Sequence, residues 1–496
     1  MTVSGVFPRF VSFIGADTLW HSSRDLKLLI ILRMVRLLGY GGTTLILALY
    51  LHALGFKDSE IGLFMTSTLV GDLFISFGLT YVGDGMSVRA TVLLGALLMC
   101  ASGIAFAFVT NFWVLLLASI IGVINPSANE IDPFKAIEES AISRLSTHET
   151  CSDIFAWWSM LGMIGTAVSN MLTGFLVDFL RDTGYDHVDA LKAVFLTYAL
   201  VGFIKLLLCL LLSSDVELKL PHKIANSRSL PGQHKNRDGS QEREPLLQNC
   251  VDEYQPTNST YCGEESSEDV ETTPSMTSRR IFTPESFAFL WKLSLAMSFD
   301  FVGSGLAQIS WMIYFFKREY DMPEAALGSA TFAAGIISSI LNLVASPLSR
   351  AIGQVQTMVL CHTINSASLI MVSVPSNKHL ALVIFIFRIV TREIDNAPRQ
   401  AFISAGVLHE ERTSAMGVIN MVKIVGSCIG LYITGLFANL DCFWLAFIVA
   451  GCLKLLYNIL ITTFFWRSYG SEKRGATPQG THDDISSGVD NALGTA

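Results

Sequence analysis

Gly39-Tyr40-Gly41, followed by Tyr50 and Glu60, returns as Gly303-Ser304-Gly305, followed by Tyr314 and Glu324. Each pair is 264 positions apart: 303 − 39, 314 − 50 and 324 − 60. Pro133 with Ala136 returns as Pro398 with Ala401, 265 positions on. Such self-similarity marks an internal duplication. About a dozen long apolar segments surround these residues, six before and six after a polar stretch near 213–285. Roughly 20 apolar residues span a bilayer. The spacing predicts spans near 28–51, 59–82, 90–109, 111–131, 154–177 and 191–212, then 286–316, 325–348, 355–374, 379–400, 413–437 and 441–466. The expected fold class is an all-α membrane protein with twelve transmembrane helices in two pseudosymmetric six-helix bundles. A duplicated bundle of this kind suits a carrier that rocks one half against the other around a central site.

The expected divisions are a cytosolic N-terminal segment at 1–27, a first bundle at 28–212, a disordered cytosolic central loop at 213–285, a second bundle at 286–466 and a disordered cytosolic tail at 467–496. The chain of 496 residues is 51% hydrophobic and 15% charged, against roughly 25% charged in soluble domains. Its net charge of −8 comes partly from the loop and tail. No basic tract or aromatic platform points to nucleic acid. No nucleophile–base pair, phosphate loop or metal spacing points to an enzyme, and no cofactor is expected. The first 25 residues have no uninterrupted apolar core for a signal peptide, so the first helix is expected to act as signal anchor. Cys100, Cys209, Cys361, Cys428 and Cys452 fall within expected helices and read as small apolar fillers.

Topology follows from Lys and Arg near the helix ends. With the N-terminus inside, cytosolic segments hold Arg24, Lys27, Arg89, Lys135, Arg144, Lys219, Lys223, Arg350, Arg399, Arg412 and Arg467. The outer loops hold Lys57, Arg181, Lys192, Lys317, Arg318 and Lys378. The bias places both termini and the central loop in the cytosol. That loop is rich in Ser, Glu, Asp, Pro and Thr, a composition that does not build a core. The glycosylation sequon Asn258-Ser259-Thr260 would be silent in the cytosol. Glu242, four residues before Leu246-Leu247, resembles an acidic dileucine sorting signal read by a sorting adaptor. That resemblance implies routing to the vacuolar membrane, with the plasma membrane as the alternative.

The stretch Thr80-Tyr81-Val82-Gly83-Asp84-Gly85-Met86-Ser87-Val88-Arg89 lies between the second and third spans. It is similar to the signature loop Gly-x-x-x-Asp-x-x-Gly-Arg-Arg/Lys of the major facilitator superfamily. Asp84 and Arg89 match, while both signature glycines and the first arginine are replaced. The second half carries Ala345-Ser346-Pro347-Leu348-Ser349-Arg350 with Gly353 at the equivalent place. The 6+6 arrangement extends the resemblance over the membrane part. It implies a gating role for Asp84 and Arg89. Asn129-Glu130-Ile131-Asp132-Pro133-Phe134-Lys135 through Ser140, with Asp153-Ile154-Phe155-Ala156-Trp157, resembles a group of fungal carriers. The fifth span has Gly162, Gly165 and Gly174 but not the Gly-Pro of the drug-antiporter motif, which counts against a drug/proton antiporter.

Charges inside a bilayer cost at least about 2.5–3.5 kcal/mol and usually face a cavity. Arg36 lies roughly 13 Å along the first helix past Lys27, and Asp300 is its counterpart 264 positions on. In the resembling family the first and seventh helices line the cavity, so a breakable Arg36–Asp300 pair is expected, with Arg36 meeting a substrate anion and Asp300 a proton. Arg33 and the lysines Lys205 and Lys454 are expected to snorkel. Asp72, central in its span, is a candidate proton carrier, or else a packing hydrogen-bond partner. Arg388, Arg392 and Asp395 share one helix face, and arginines can flank a carboxylate or phosphate bidentately. Arg388 is assigned to substrate or its counter-ion, and Lys423 is a weaker substrate candidate. Glu130, Lys135 and Glu138 are expected to pair with Arg392 or Arg399 across the halves as an intracellular gate in the outward-open state, with Asp395 the counterpart of Glu130. Trp157, Trp158, Trp311 and Trp444 are placed at the membrane interface. The glycines at 39, 41, 42, 303 and 305 are expected to permit close helix packing.

The leading reading is a monomeric secondary transporter in a lipid bilayer, working by alternating access. An anionic or zwitterionic metabolite coupled to H+ fits the mixed charges in the core. The alternatives are an efflux pump for a hydrophobic compound and a transport-dead nutrient receptor.

Overall fold

The structure, a computed structural model, describes residues 16–83, 87–122, 133–213, 282–392 and 411–470, together with 124, 126, 216, 217, 394, 399, 402, 403 and 406–408. A short helix α1 (Ala16–His21) leads into the first half. That half holds α2 (Arg24–Ala53), α3 (Asp58–Gly83), α4 (Val88–Phe108), α5 (Phe112–Ile121), α6 (Pro133–Leu145), α7 (His148–Asp182) and α8 (His187–Cys209). The second half holds α9 (Pro284–Leu306), α10 (Ile309–Tyr320), α11 (Glu324–Ile352), α12 (Gln354–Val372), α13 (Lys378–Arg392), α14 (Arg412–Asn439) and α15 (Phe443–Gly470). Each of the twelve expected spans is met by a helix. Among the described residues, eight helices are long and apolar enough to cross a membrane.

Local chemistry sets the helix ends. Ser23 accepts from the Leu26 amide at 3.3 Å. Asn111 accepts from the Trp113 amide at 3.0 Å, and Thr283 from the Ser286 amide at 3.4 Å. Each satisfies an amide that the helix cannot. Pro284 then occupies the first turn of α9, where its missing N–H costs nothing.

The span expected at 286–316 is not one rod. It breaks at Ala307–Gln308, between α9 and α10. The break frees carbonyls inside the membrane region, and these need donors. Arg388 Nη2 donates to Ala307 O at 2.9 Å, and Thr434 Oγ1 to Leu306 O at 2.9 Å.

One end of the bundle carries the turns at 54–57, 183–186, 321–323 and 440–442 and is termed the turn end. The opposite, terminal end carries the starts of α2 and α9 and the end of α15. The halves meet through α3 with α14, α7 with α11, and α2 with α10. Lipid gives apolar helices little reason to associate, so close backbone contact must do it. Glycines provide it. A Cβ on Gly62 would lie 3.0 Å from the Gly435 Cα, and one on Gly435 would lie 2.6 Å from Asp58 O. The pseudosymmetric contact uses Gly174 and Gly328: a Cβ on Gly328 would lie 3.3 Å from the Gly174 Cα.

The buried apolar side chains show where the halves fuse. One cluster unites both halves at the turn end, from Leu45–Leu51 and Phe64 through Trp311–Phe316 to Phe443 and Phe447. At the terminal end there are two clusters. One, around Leu29, Trp158 and Cys209, belongs to the first half; the other, around Leu293, Phe402 and Tyr457, belongs to the second. The molecule is closed at the turn end and parted at the terminal end.

Candidate functional site

Two buried charge clusters sit at the centres of the halves, and neither crosses between them. In the first, Glu138 of α6 is fully buried, 2.8 Å from Arg36 Nη2 and 3.7 Å from Lys205 Nζ. In the second, Asp300 of α9 is 1% exposed. It accepts from Lys454 Nζ at 2.5 Å and Arg399 Nη1 at 3.2 Å, and lies 2.9 Å from His362 Nε2. The imidazole's other nitrogen meets Asn458 at 3.0 Å, so both ring atoms are held.

These clusters correct several expectations. Arg36 is held by Glu138 of its own half rather than by Asp300, and Asp300 by Lys454, His362 and Arg399 of its own. With the terminal end parted, Glu138 holds Arg36 and Lys205; the gate pairing with Arg392 or Arg399 belongs to the outward-open state. Arg399 turns to Asp300, its neighbour in the second half. Lys205 and Lys454 do not snorkel but are 1% and 5% exposed and paired inside the bundle. Arg33 is also buried, its guanidinium 3.4 Å from the centroid of the Trp158 ring. Trp158 and Trp311 are therefore core residues, whereas Trp444 is exposed. Lys135 pairs with Glu139 at 3.8 Å, one turn along its own helix.

The duplication is inverted in charge at one position: 36 holds a cation and its counterpart 300 an acid. Lys135 has the uncharged Gln400 as its counterpart, 265 residues on.

A pocket of about 90 Å³ opens beside Asp300 in the second half. Among its lining residues five basic side chains, Arg388, Arg392, Arg399, Lys423 and Lys454, face one carboxylate, with His362, Ser304 and Gln308 completing the wall. Arg388 is 2% exposed and also braces the α9/α10 break. A larger cavity of about 230 Å³ lies between the halves. Tyr40, Leu45, Met163 and Ala167 line it from the first half, and Ile309, Gly335 and Ile389 from the second. Among the described lining residues Arg392 is the one charged side chain, and it lines both spaces. Tyr40 and Ser304, the central residues of the repeated Gly-x-Gly, thus line one cavity each.

The other candidates fall as follows. Asp72 is 3% exposed on α3. Arg89 is half-buried in the first turn of α4. Asp84, Glu130, Asp395, Glu242, Leu246 and Leu247 lie outside the described residues. His362 was missed; a lone histidine in an apolar run has no local signature.

The turn end carries a second polar set that sequence spacing did not single out. Asp58 of the first half accepts from Tyr314 Oη at 2.8 Å and from Arg318 Nη1 at 2.7 Å, both of the second half. Asp178 of α7 accepts from the Glu324 and Ala325 amides at 3.2 and 2.9 Å, capping α11 across the interface. Ser310 Oγ accepts from the Ala48 amide at 3.2 Å.

A duplicated helical bundle, broken in one helix and holding a cavity between its halves, defines the class of membrane transporters. The profile of the Major Facilitator Superfamily matches residues 29–312 and 293–490. The chain belongs to that superfamily. An uncharacterized membrane protein of Saccharomyces cerevisiae, YJR124C, is 32% identical over 450 residues, 90% of this chain and 94% of the yeast protein. Among solved structures, a D-xylose–proton symporter has a TM-score of 0.63 at 11% identity, covering 89% of this chain and 98% of its own. A bacterial homologue of the human lysosomal transporter Spinster, inward-facing and unoccupied, has a TM-score of 0.61 at 13% identity, covering 89% and 97%. The nucleoside transporter NupG has a TM-score of 0.59 at 14% identity, covering 89% and 99%. At these identities the likeness is one of fold.

Proposed function

We propose that the protein carries a small anion across a membrane by alternating access, coupled to protons. The observation that supports this is the second-half pocket in which Arg388, Arg392, Arg399, Lys423 and Lys454 line the space beside Asp300. Arginine forks suit a carboxylate or phosphate, and charge at this depth is retained for a task. An arriving anion competes with Asp300 for Arg399 and Lys454. A proton on the His362–Asp300 pair offsets the charge that the anion brings. Arg36 then serves its own half through Glu138 rather than meeting substrate directly.

The parted terminal end is read as cytosolic from the Lys and Arg bias. The acidic dileucine at Glu242, Leu246 and Leu247 supports a vacuolar address, and a Leu246→Ala/Leu247→Ala chain should then appear at the plasma membrane. Plasma-membrane signal from both chains would remove that address.

The transport reading is tested in vesicles holding the purified full chain and an internal pH dye. Candidate carboxylates and phosphates are added outside, and the dye reports proton movement. A response that Arg392→Gln abolishes is the expected result. Anion uptake with no proton movement would sink the coupling; binding with no uptake of any anion would favour a receptor.

A further inference from the structure

Resting on the anion-carrier reading, we infer that the substrate is amphipathic: an anionic head held at Arg392 in the basic pocket and an apolar body lying between the halves. The two spaces are chemically unlike and share one side chain. The pocket beside Asp300 is small and lined by basic groups, among them Arg392 and Lys423. The space between the halves is larger, about 230 Å³, and its wall is mostly apolar, with Leu45, Met163, Ile309 and Ile389 beside the polar side chains of Asn170 and Ser338. Arg392 stands where they meet.

Neither space suits the other's ligand. A compact, fully charged solute would engage the basic lining and leave the apolar stretches of the cavity wall uncovered. A neutral apolar compound would cover those stretches and make no use of the basic lining. A molecule charged at one end satisfies both. It also touches both halves at once, as a substrate must if its binding is to drive the rocking motion. The head group's chemistry is common to carboxylates and phosphate monoesters, which both accept two hydrogen bonds from a guanidinium.

The test uses the purified full chain in nanodiscs and two probe series, fatty carboxylates and alkyl phosphates from two to eight carbons. Inorganic phosphate and hexanol are the controls, and binding is read by calorimetry. Affinity should rise about fourfold for each CH2 buried until the tail fills the cavity. Ala167→Leu should flatten that rise, because it occupies the space of the tail. Arg392→Gln should remove binding of both series; Arg392→Lys, which keeps the charge, should bind every chain length more weakly with the same rise per CH2, and its melting curve reports whether the fold is intact. The tighter series identifies the head group.

Inorganic phosphate binding as tightly as every longer anion would overturn the amphipathic substrate and leave the anion carrier standing. Hexanol binding as tightly as hexanoate would overturn the anionic head. No binding of any anion would overturn both readings together.

Discussion

Glu138 is the carboxylate shared by two buried cations of the first half. It is fully buried between Arg36 and Lys205. Glu138→Gln would leave both cations without their carboxylate, and breaking such a buried pair costs about 3–5 kcal/mol. Arg33→Lys should cost less: it keeps the charge and gives up the stacking of a planar guanidinium on the Trp158 ring, within the about 0.5–2 kcal/mol of such contacts. Melting curves of the two variants should rank in that order, and the reverse ranking would show that Glu138 is dispensable. Exchange of charges separates the pairing observed here from the one that the duplication implied. Arg36→Glu with Glu138→Arg should recover stability lost in the single variants. Arg36→Asp with Asp300→Arg should not, because the new arginine would face Lys454 and Arg399 and the new aspartate would face Glu138.

At the scale of elements, helix ends and glycines close the molecule. Asp178 caps α11 from the opposite half, accepting from two of its first amides. Replacing a capping oxygen costs about 1 kcal/mol, roughly a fivefold change in a two-state population. Asp178→Ala should therefore weaken the closed turn end without unfolding either half. Gly435→Leu should act more strongly, because even a Cβ there would meet Asp58 O at 2.6 Å. The reporter is a cysteine at Ser310, a position with no exposure. Its labelling by a membrane-impermeant thiol reagent, above the background of the parent chain, should rise in both variants, with Gly435→Leu the larger. Unchanged labelling would mean that these contacts do not hold the end shut.

For the whole molecule the prediction concerns rocking. Thr66 and Cys428 lie on α3 and α14, and each side chain contacts the other's backbone carbonyl across the halves: Thr66 Oγ1 to Cys428 O at 3.1 Å and Cys428 Sγ to Thr66 O at 3.9 Å. Thr66→Cys should oxidise with the native Cys428 and lock the turn end. With a protease site placed in the central loop, the two fragments should stay joined until reductant is added, and transport should stop and recover with it. Joined fragments with undiminished transport would show that the turn end need not open.

The architecture was legible in the chain because its signals are local or periodic. Twenty apolar residues declare a span wherever they occur, and the 264-residue repeat around Gly39-Tyr40-Gly41 and Gly303-Ser304-Gly305 declares two similar halves. The same pattern put Arg388, Arg392 and Lys423 at membrane depth, and they line one pocket. Depth along a helix is readable; direction around it, and the neighbour that direction meets, is not. Arg36 and Asp300 share a depth, yet rotation and packing hand Arg36 to Glu138 and Asp300 to Lys454, His362 and Arg399. The break at Ala307–Gln308 likewise has no proline to announce it, and persists because Arg388 and Thr434, distant in sequence, supply donors for its carbonyls. Sequence alone determined the number of spans and the duplication, which follow from each segment's own transfer from water to lipid. Tertiary structure alone decided the partners of the buried charges, because a charge in low dielectric pairs with whatever opposite charge the packing brings within a few ångströms.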